Sequence, residues 1–204
     1  MLAQGDDTGD ASVLDTLKAF IKIRDQKPSA VFLGLVHRLD RPTSGVMVLA
    51  KTSKALARLN KQFAEKTTQK RYWAMVTGTP ADSPTRLVHY LLRKPAQNKS
   101  YAYPKEIPNS KRAELVYTKK QVLDRYTLVE IELLTGRHHQ IRAQLSVVGL
   151  IIKGDLKYGA ARPNKDGSIH LHARTLCISH PTLKEPITFT APPPKDNLWD
   201  VVQH

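Results

Sequence analysis

The stretch "AELVYTKKQVLDRYTLVEIELL", residues 113–134, constrains the fold most. Leu128, Glu130 and Glu132 alternate with Val129, Ile131 and Leu133, the period of two that sends successive side chains to opposite faces of a sheet. A polar connection at 119–124 separates two such runs, which therefore read as antiparallel neighbours. Other short runs follow the same rule: "AVFLGLV", "VMVLA", "RYWAMVTG" stopped by Gly78, "GSIHLHARTLCISH", and "EPITFTAPPP", which three prolines terminate. Helical spacing occurs in three places. "SVLDTLKAFIKIR" has Ser12 as its N-cap, and "TSKALARLNKQFAEK" is capped by Thr52 or Ser53. "TGRHHQIRAQLSVVG" puts Ile141, Leu145 and Val148 on one face and ends at Gly149. Residues 93–110 have no clear period and read as loop or hairpin. Because strands dominate and no regular βαβ alternation appears, the expected fold is α+β. It is a single domain around a bent, mostly antiparallel mixed sheet with a few flanking helices and a basic central cleft.

Charge narrows the partner. Lys and Arg number 32 against 18 Asp and Glu, a formal net charge of +14 in 204 residues, and the basic residues are spread along the chain rather than gathered in a tail. Such an excess favours a polyanion, so RNA or DNA leads. No run approaches the eighteen or more apolar residues of a membrane helix, and "MLAQGDDTGD" lacks both the basic and the apolar regions of a secretion signal, so a cytoplasmic protein with no membrane partner is expected. The single cysteine, Cys177, excludes an internal disulfide framework and a multi-thiolate zinc site, and reads as a small buried residue.

Between "AVFLGLV" and "VMVLA" lies "HRLDRPTSG", residues 37–45, with Asp40 between Arg38 and Arg41. A carboxylate held there stays ionised, because nearby positive charge favours the charged form. It suits a nucleophile, a general base or, least well, a metal ligand, since hard cations want several oxygens and no second carboxylate stands at a suggestive spacing. The competing reading is a turn organised by Asp40 and Thr43 around Pro42. His138, His139, His170 and His172 raise a zinc reading, which the lack of thiolates and of an HExxH pattern weakens; no metal is expected.

"HRLDRPTSG" resembles the signature of the RluA-type pseudouridine synthases, and two more segments match that family in the same order: "KRYWAMVTG" at 70–78 and "LLTGRHHQIRAQLSVVGLIIKGDLKYG" at 133–159. "LHARTLCISHP" looks like its closing strand, so the core motifs span residues 31–194 of a catalytic domain occupying 1–204. The resemblance implies isomerisation of uridine to pseudouridine in structured rRNA or tRNA. It puts Asp40 in the place of the catalytic aspartate and Tyr72 in that of the active-site tyrosine, which packs against the target base. Arg142 takes the place of the basic residue that pairs with the aspartate, Arg137 being the other candidate. Arg38 corresponds to the arginine that enters the space left by the flipped nucleotide. His37, Arg41, Thr43, Arg137, His139 and Gln140, from the same motifs, complete the expected RNA-contacting set, although His37 also reads as a turn or packing residue.

These residues suit the chemistry. Breaking the N1–C1′ bond, rotating the base and joining C5 to C1′ calls for a group acting at C1′, as carboxylates do at anomeric carbons. Covalent capture at C1′ and aspartate-assisted loss of the 2′ proton both remain open. The base must leave its stack to be reached, which suits an aromatic platform and an inserting arginine. No cofactor is expected, nor an obligate protein partner, and the expected state is a monomer. Members of the family usually begin with a Lys-Pro-x-Gly strand, and many carry an N-terminal S4 domain; neither is matched here, so one sheet edge is expected to be under-paired. The alternative to an enzyme is a catalytically weak RNA-binding or RNA-folding module on the same scaffold.

Overall fold

The computed structural model describes residues 12–202. In chain order its elements are helix α1 (Val13–Arg24), strands β1 (Gly34–Leu35), β2 (Ser44–Gly45) and β3 (Leu49–Ala50), helix α2 (Ser53–Glu65), strands β4 (Gln69–Val76), β5 (Thr85–Lys94), β6 (Lys99–Tyr103), β7 (Lys111–Val122) and β8 (Thr127–Leu133), helix α3 (Gln140–Val147), and strands β9 (Leu171–Ser179) and β10 (Pro186–Thr190). Single 3-10 turns occupy Pro95–Gln97 and Leu156–Tyr158. This is the expected α+β class. Among the described residues no helix is long and apolar enough to cross a membrane.

The described residues form two compact units, one made of residues 12–41, 47–68 and 177–188, the other of 42–46, 69–176 and 189–202. In the first, both expected N-caps form: the Ser12 hydroxyl accepts the Asp15 N–H at 3.1 Å, and Thr52 Oγ1 accepts the Ala55 N–H at 3.1 Å. Lys66, at φ +59°, closes α2 in the left-handed conformation. "AVFLGLV" and "VMVLA" shrink from the expected strands to one short antiparallel pair, Gly34↔Ala50 and Leu35↔Leu49. α2 packs directly on that backbone: a Cβ on Gly34 would lie 2.7 Å from Leu56. Gln62 then works as an edge substitute, its amide donating to Ser179 O at 2.8 Å and accepting from Ser179 N–H at 2.9 Å.

The large sheet has the order β10-β9-β4-β8-β7-β5-β6, with β2 added in parallel on β9. Its pairings from β4 through β8, β7 and β5 to β6 are antiparallel, with a bulge in β7 between Lys119 and Gln121. The hairpin reading of 93–110 holds, as β5 and β6 pair from Tyr90↔Tyr103 to Lys94↔Lys99. The sequence pattern assigned no element to 79–92; β5 begins there, and its apolar residues point both ways, Leu87 and Leu91 inward and Val88 outward, which blurs the alternation. Ala74, Val76, Leu115, Val129 and Ile131 meet Ile141 and Leu145 of α3 on one face. Trp73, Met75 and Leu128 meet Trp199 and Val202 in a second cluster. Fully buried side chains such as Ile131 and Leu145 stabilise the fold by about 2 kcal/mol each. α3 is not the one-sided amphipath its pattern suggested. Gln140, Arg142 and Gln144 are as buried as Ile141 and Leu145, while Val148, beyond the last helical residue, is 41% exposed.

Candidate active site

The charged connection is held at both ends. His37 stacks on Phe63 with ring centroids 5.0 Å apart, and its Nε2 accepts the Val48 N–H at 3.0 Å, closing residues 37–48 into a loop. His37 therefore has a packing role. Within that loop Arg38 and Arg41 are exposed and Asp40 is half-buried. Pro42 fixes its own φ and biases Arg41 towards extended backbone. Thr43 Oγ1 is buried with no hydrogen-bond partner among the described residues. Gly45 adopts φ +123° with the Ala173 backbone 2.4 Å from where a Cβ would sit, so only glycine fits.

Tyr72 lies on β4 opposite Ile131 and is partly buried against the core cluster that contains Ile141 and Leu145. The turn before α3 is set by a saturated amide. Gln140 Oε1 accepts from Thr135 Oγ1 at 2.8 Å and from Arg137 N–H at 3.0 Å, while its Nε2 donates to Glu114 O at 3.0 Å and to Gln144 Oε1 at 2.9 Å. With all four of its hydrogen-bonding positions used inside the protein, Gln140 shapes the turn instead of presenting its amide to a ligand. The Arg137 side chain is exposed, and its Nε donates to Arg112 O at 3.2 Å. Nearby, burial pushes the Glu114 carboxyl up, but hydrogen bonds and charge from Arg112 and Arg86 outweigh it and hold the group below the usual range.

Arg142 is 5% exposed and faces Asp155, 1% exposed, in a two-pronged ion pair with Nε to Oδ2 at 2.7 Å and Nη2 to Oδ1 at 2.8 Å. That geometry fixes the plane of the guanidinium as well as its position. The Tyr158 ring lies 5.0 Å from the same guanidinium, and its hydroxyl, held by Ser100 N–H at 2.9 Å and Ser100 O at 3.0 Å, is also 3.0 Å from His139 Nδ1. Burial, followed by the charge of Arg142, pushes His139 down to about 3, so it is neutral at neutral pH. His139 takes φ +52° at the helix start and stacks on His138 at 3.8 Å.

Among the described residues no three His, Cys, Asp or Glu side chains are grouped so as to hold a metal. The four histidines of the zinc reading each have a protein partner: besides His139, His138 lies 2.9 Å from Ser100 Oγ, His170 2.8 Å from Asp196, and His172 2.9 Å from Ser44 Oγ. Cys177, expected to be buried, is half-buried. The structure thus brings Arg142 and His139 together at Tyr158 and ties Gln140 to Thr135, Glu114 and Gln144, while His37, Arg38, Asp40 and Arg41 share the held loop. Sequence reasoning gave no role to Asp155, Tyr158 or Glu114, and considered His172 only as a zinc ligand. A lone carboxylate in "KGDLKYG", directly following the arginine-bearing motif, was the available signal for Asp155.

A family model described as RNA pseudouridylate synthase matches residues 2–147, which include Asp40, Tyr72 and Arg142. This chain belongs to that family. It is 36% identical over 176 residues to the ribosomal large subunit pseudouridine synthase C of Vibrio vulnificus, covering 83% of this chain and 55% of that protein. An RNA pseudouridine synthase of Mycoplasma genitalium is 36% identical over 162 residues, 78% of this chain and 51% of that protein. This chain therefore spans about half the length of those relatives. The fold agrees: the solved structure of human RNA pseudouridylate synthase domain containing 4 superposes with a TM-score of 0.82 at 23% identity, over 98% of this chain and 85% of that one. The family match stops at the last residue of α3, so Asp155 and His172 lie outside it.

Proposed function

We propose that this chain converts uridine to pseudouridine in RNA, with Asp40 acting at C1′ of a flipped-out nucleotide. The observation that carries the reading is the held loop. A half-buried carboxylate stands between two exposed arginines on a connection closed by His37 and Val48. A turn that merely reversed the chain would need no such charge arrangement. In this reading Asp40 stabilises or captures C1′ as the N1–C1′ bond breaks. The base rotates, C5 bonds to C1′, the C5 proton leaves and the freed N1 takes up a proton, so the product is an isomer of the substrate. Tyr72 packs against the base, and Arg142, its plane fixed by Asp155, supplies positive charge to the reacting centre. Arg38 fills the space the base vacates, offsetting an unstacking cost of a few kcal/mol. Arg41, Thr43, Arg137 and the net +14 charge engage the phosphate backbone. His37, His139 and Gln140 are positioning residues. The names of the bacterial relatives favour large-subunit ribosomal RNA as the substrate class.

Asp40→Asn tests the assignment, since it keeps the size and turn propensity of the side chain and removes the nucleophile. Pseudouridine formed in unmodified transcripts should fall below detection, with RNA affinity retained or tighter and the melting temperature unchanged. Product from the asparagine variant within about tenfold of the parent would leave Asp40 a turn residue, whereas RNA bound without product by the parent itself would leave the protein a binding module.

A further inference from the structure

Two residues after Asp40 the chain enters a segment that is held along β9. Pro42–Val46 belongs to the same compact unit as Leu171–Leu176 of β9 and lies along that strand. Pro42 O accepts the Ile169 N–H at 2.9 Å, Ser44 and Gly45 pair with His172 and Ala173, and Val46 N–H donates to Ala173 O at 2.9 Å. One side chain reinforces this backbone stitching. His172 is 1% exposed, with Nδ1 2.9 Å from Ser44 Oγ and Nε2 3.0 Å from Ala191 O. A carbonyl oxygen only accepts, so Nε2 carries the hydrogen; Nδ1 then offers its lone pair, and the Ser44 hydroxyl donates to it. Arg174 Nη1 donates to the same Ala191 carbonyl at 2.6 Å, fixing the far end of the bridge.

We infer that His172 is a positioning residue for the reaction, bridging Ala191 and Ser44 and thereby holding the segment that starts two residues after Asp40. The inference rests on Asp40 being the group that acts at C1′. The neutral ring is the form this bridge uses, and burial pushes His172 down from its ordinary value, which keeps it neutral. Displacing a reacting group by about 1 Å costs on the order of a hundredfold in rate, so a modest slackening of residues 42–46 is enough to show in turnover. Binding of RNA does not depend on that displacement, because phosphate contacts are spread over many cations.

Three substitutions separate this role from plain core filling. His172→Asn places an amide oxygen near the position of Nδ1 and can still accept from Ser44. His172→Gln places its amide near Nε2, keeps Ala191 and loses Ser44. Ser44→Ala removes the hydroxyl and leaves the histidine. Single-turnover pseudouridine formation, equilibrium binding of the same transcript and melting curves are read for each. His172→Gln and Ser44→Ala should each slow the chemical step by about tenfold or more, with Kd within about threefold. His172→Asn should stay within about threefold of the parent, and the double variant Ser44→Ala/His172→Gln should be no slower than either single, since both remove one contact. Rates that follow melting temperature, with the asparagine variant as slow as the glutamine one, would overturn the inference, and so would full activity in His172→Gln and Ser44→Ala. A parent protein that forms no pseudouridine would overturn the Asp40 reading and this inference with it, whereas an active parent with unaffected variants overturns the positioning role alone.

Discussion

Replacing Asp155 with asparagine removes the charge from one partner of the most deeply buried ion pair described here and leaves the volume almost unchanged. Arg142 is 5% exposed and Asp155 1%, so bulk water takes little part in compensating either charge. Removing one partner of a buried pair costs about 3–5 kcal/mol, far more than an exposed pair contributes. The asparagine oxygen can still accept one of the two guanidinium hydrogen bonds, now at 2.7 and 2.8 Å, which sets the expectation at the lower end, about 3 kcal/mol. For a domain of this size that lowers Tm by roughly 6–12 °C. Circular dichroism melts and urea titrations of Asp155→Asn, Arg142→Met and the double variant give the cycle. The double variant should recover much of the loss, because a buried pair replaced on both sides leaves no charge behind. Asp155→Asn should also reduce product formation more than RNA affinity, since it frees the plane of Arg142. A Tm change below about 2 °C, or strictly additive single effects, would refute the reasoning that this pair is buried and mutually dependent.

Two further outcomes are expected. Gly45→Ala forces a Cβ to within 2.4 Å of the Ala173 backbone at φ +123°, so the parallel β2–β9 bridge must open, at a cost of about 1–3 kcal/mol and a loss of turnover exceeding the loss of binding; parental activity in that variant would show that the bridge does not set the position of Asp40. On acidification, the unfolded chain protonates His139 near pH 6.5 while the folded chain holds it neutral down to about 3, so stability present above pH 6.5 is lost progressively towards pH 3, at about 1.4 kcal/mol per pH unit for each such histidine. His89, His170 and His172 are pushed down by burial in the same direction. Melting temperatures measured from pH 7.5 to 4.5 should fall steadily below pH 6.5, and a flat profile would contradict the buried neutral network.

Local signals in the sequence carried α1 and α2, whose caps Ser12 and Thr52 sit where side-chain chemistry demands them, and β8, where Glu130 and Glu132 alternate with Val129, Ile131 and Leu133, while β4, buried at Trp73–Val76 on both faces, was legible as a short apolar run. β5 was hidden because Val88 points outward among apolar neighbours, so no period of two stands out. β1 and β3 came out shorter than their apolar runs, because the length of an apolar run does not by itself set how many of its residues pair. Asp40, Tyr72 and Arg142 could be proposed from ordered motifs. Their supports could not: Ser44 and His172 are 128 residues apart, and Thr135, Gln140 and Glu114 meet through a turn geometry that residue spacing does not encode. Gln140 shows the limit most clearly. A polar residue in a basic motif reads as a ligand contact, and only the three-dimensional inventory of its partners shows that its amide is used up.

The proposed reaction replaces the hydrogen at C5 of uridine by the bond to C1′, so a uridine carrying tritium at C5 gives up its label to water each time the base is turned. Unmodified large-subunit ribosomal RNA transcribed with that uridine and incubated with the intact chain measures the event directly. Release should proceed to a fixed small number of tritium atoms per transcript, with pseudouridine appearing in the same amount, and should be absent with Asp40→Asn. RNA that is bound by the chain yet releases no tritium, in ribosomal or transfer RNA transcripts alike, would contradict the account.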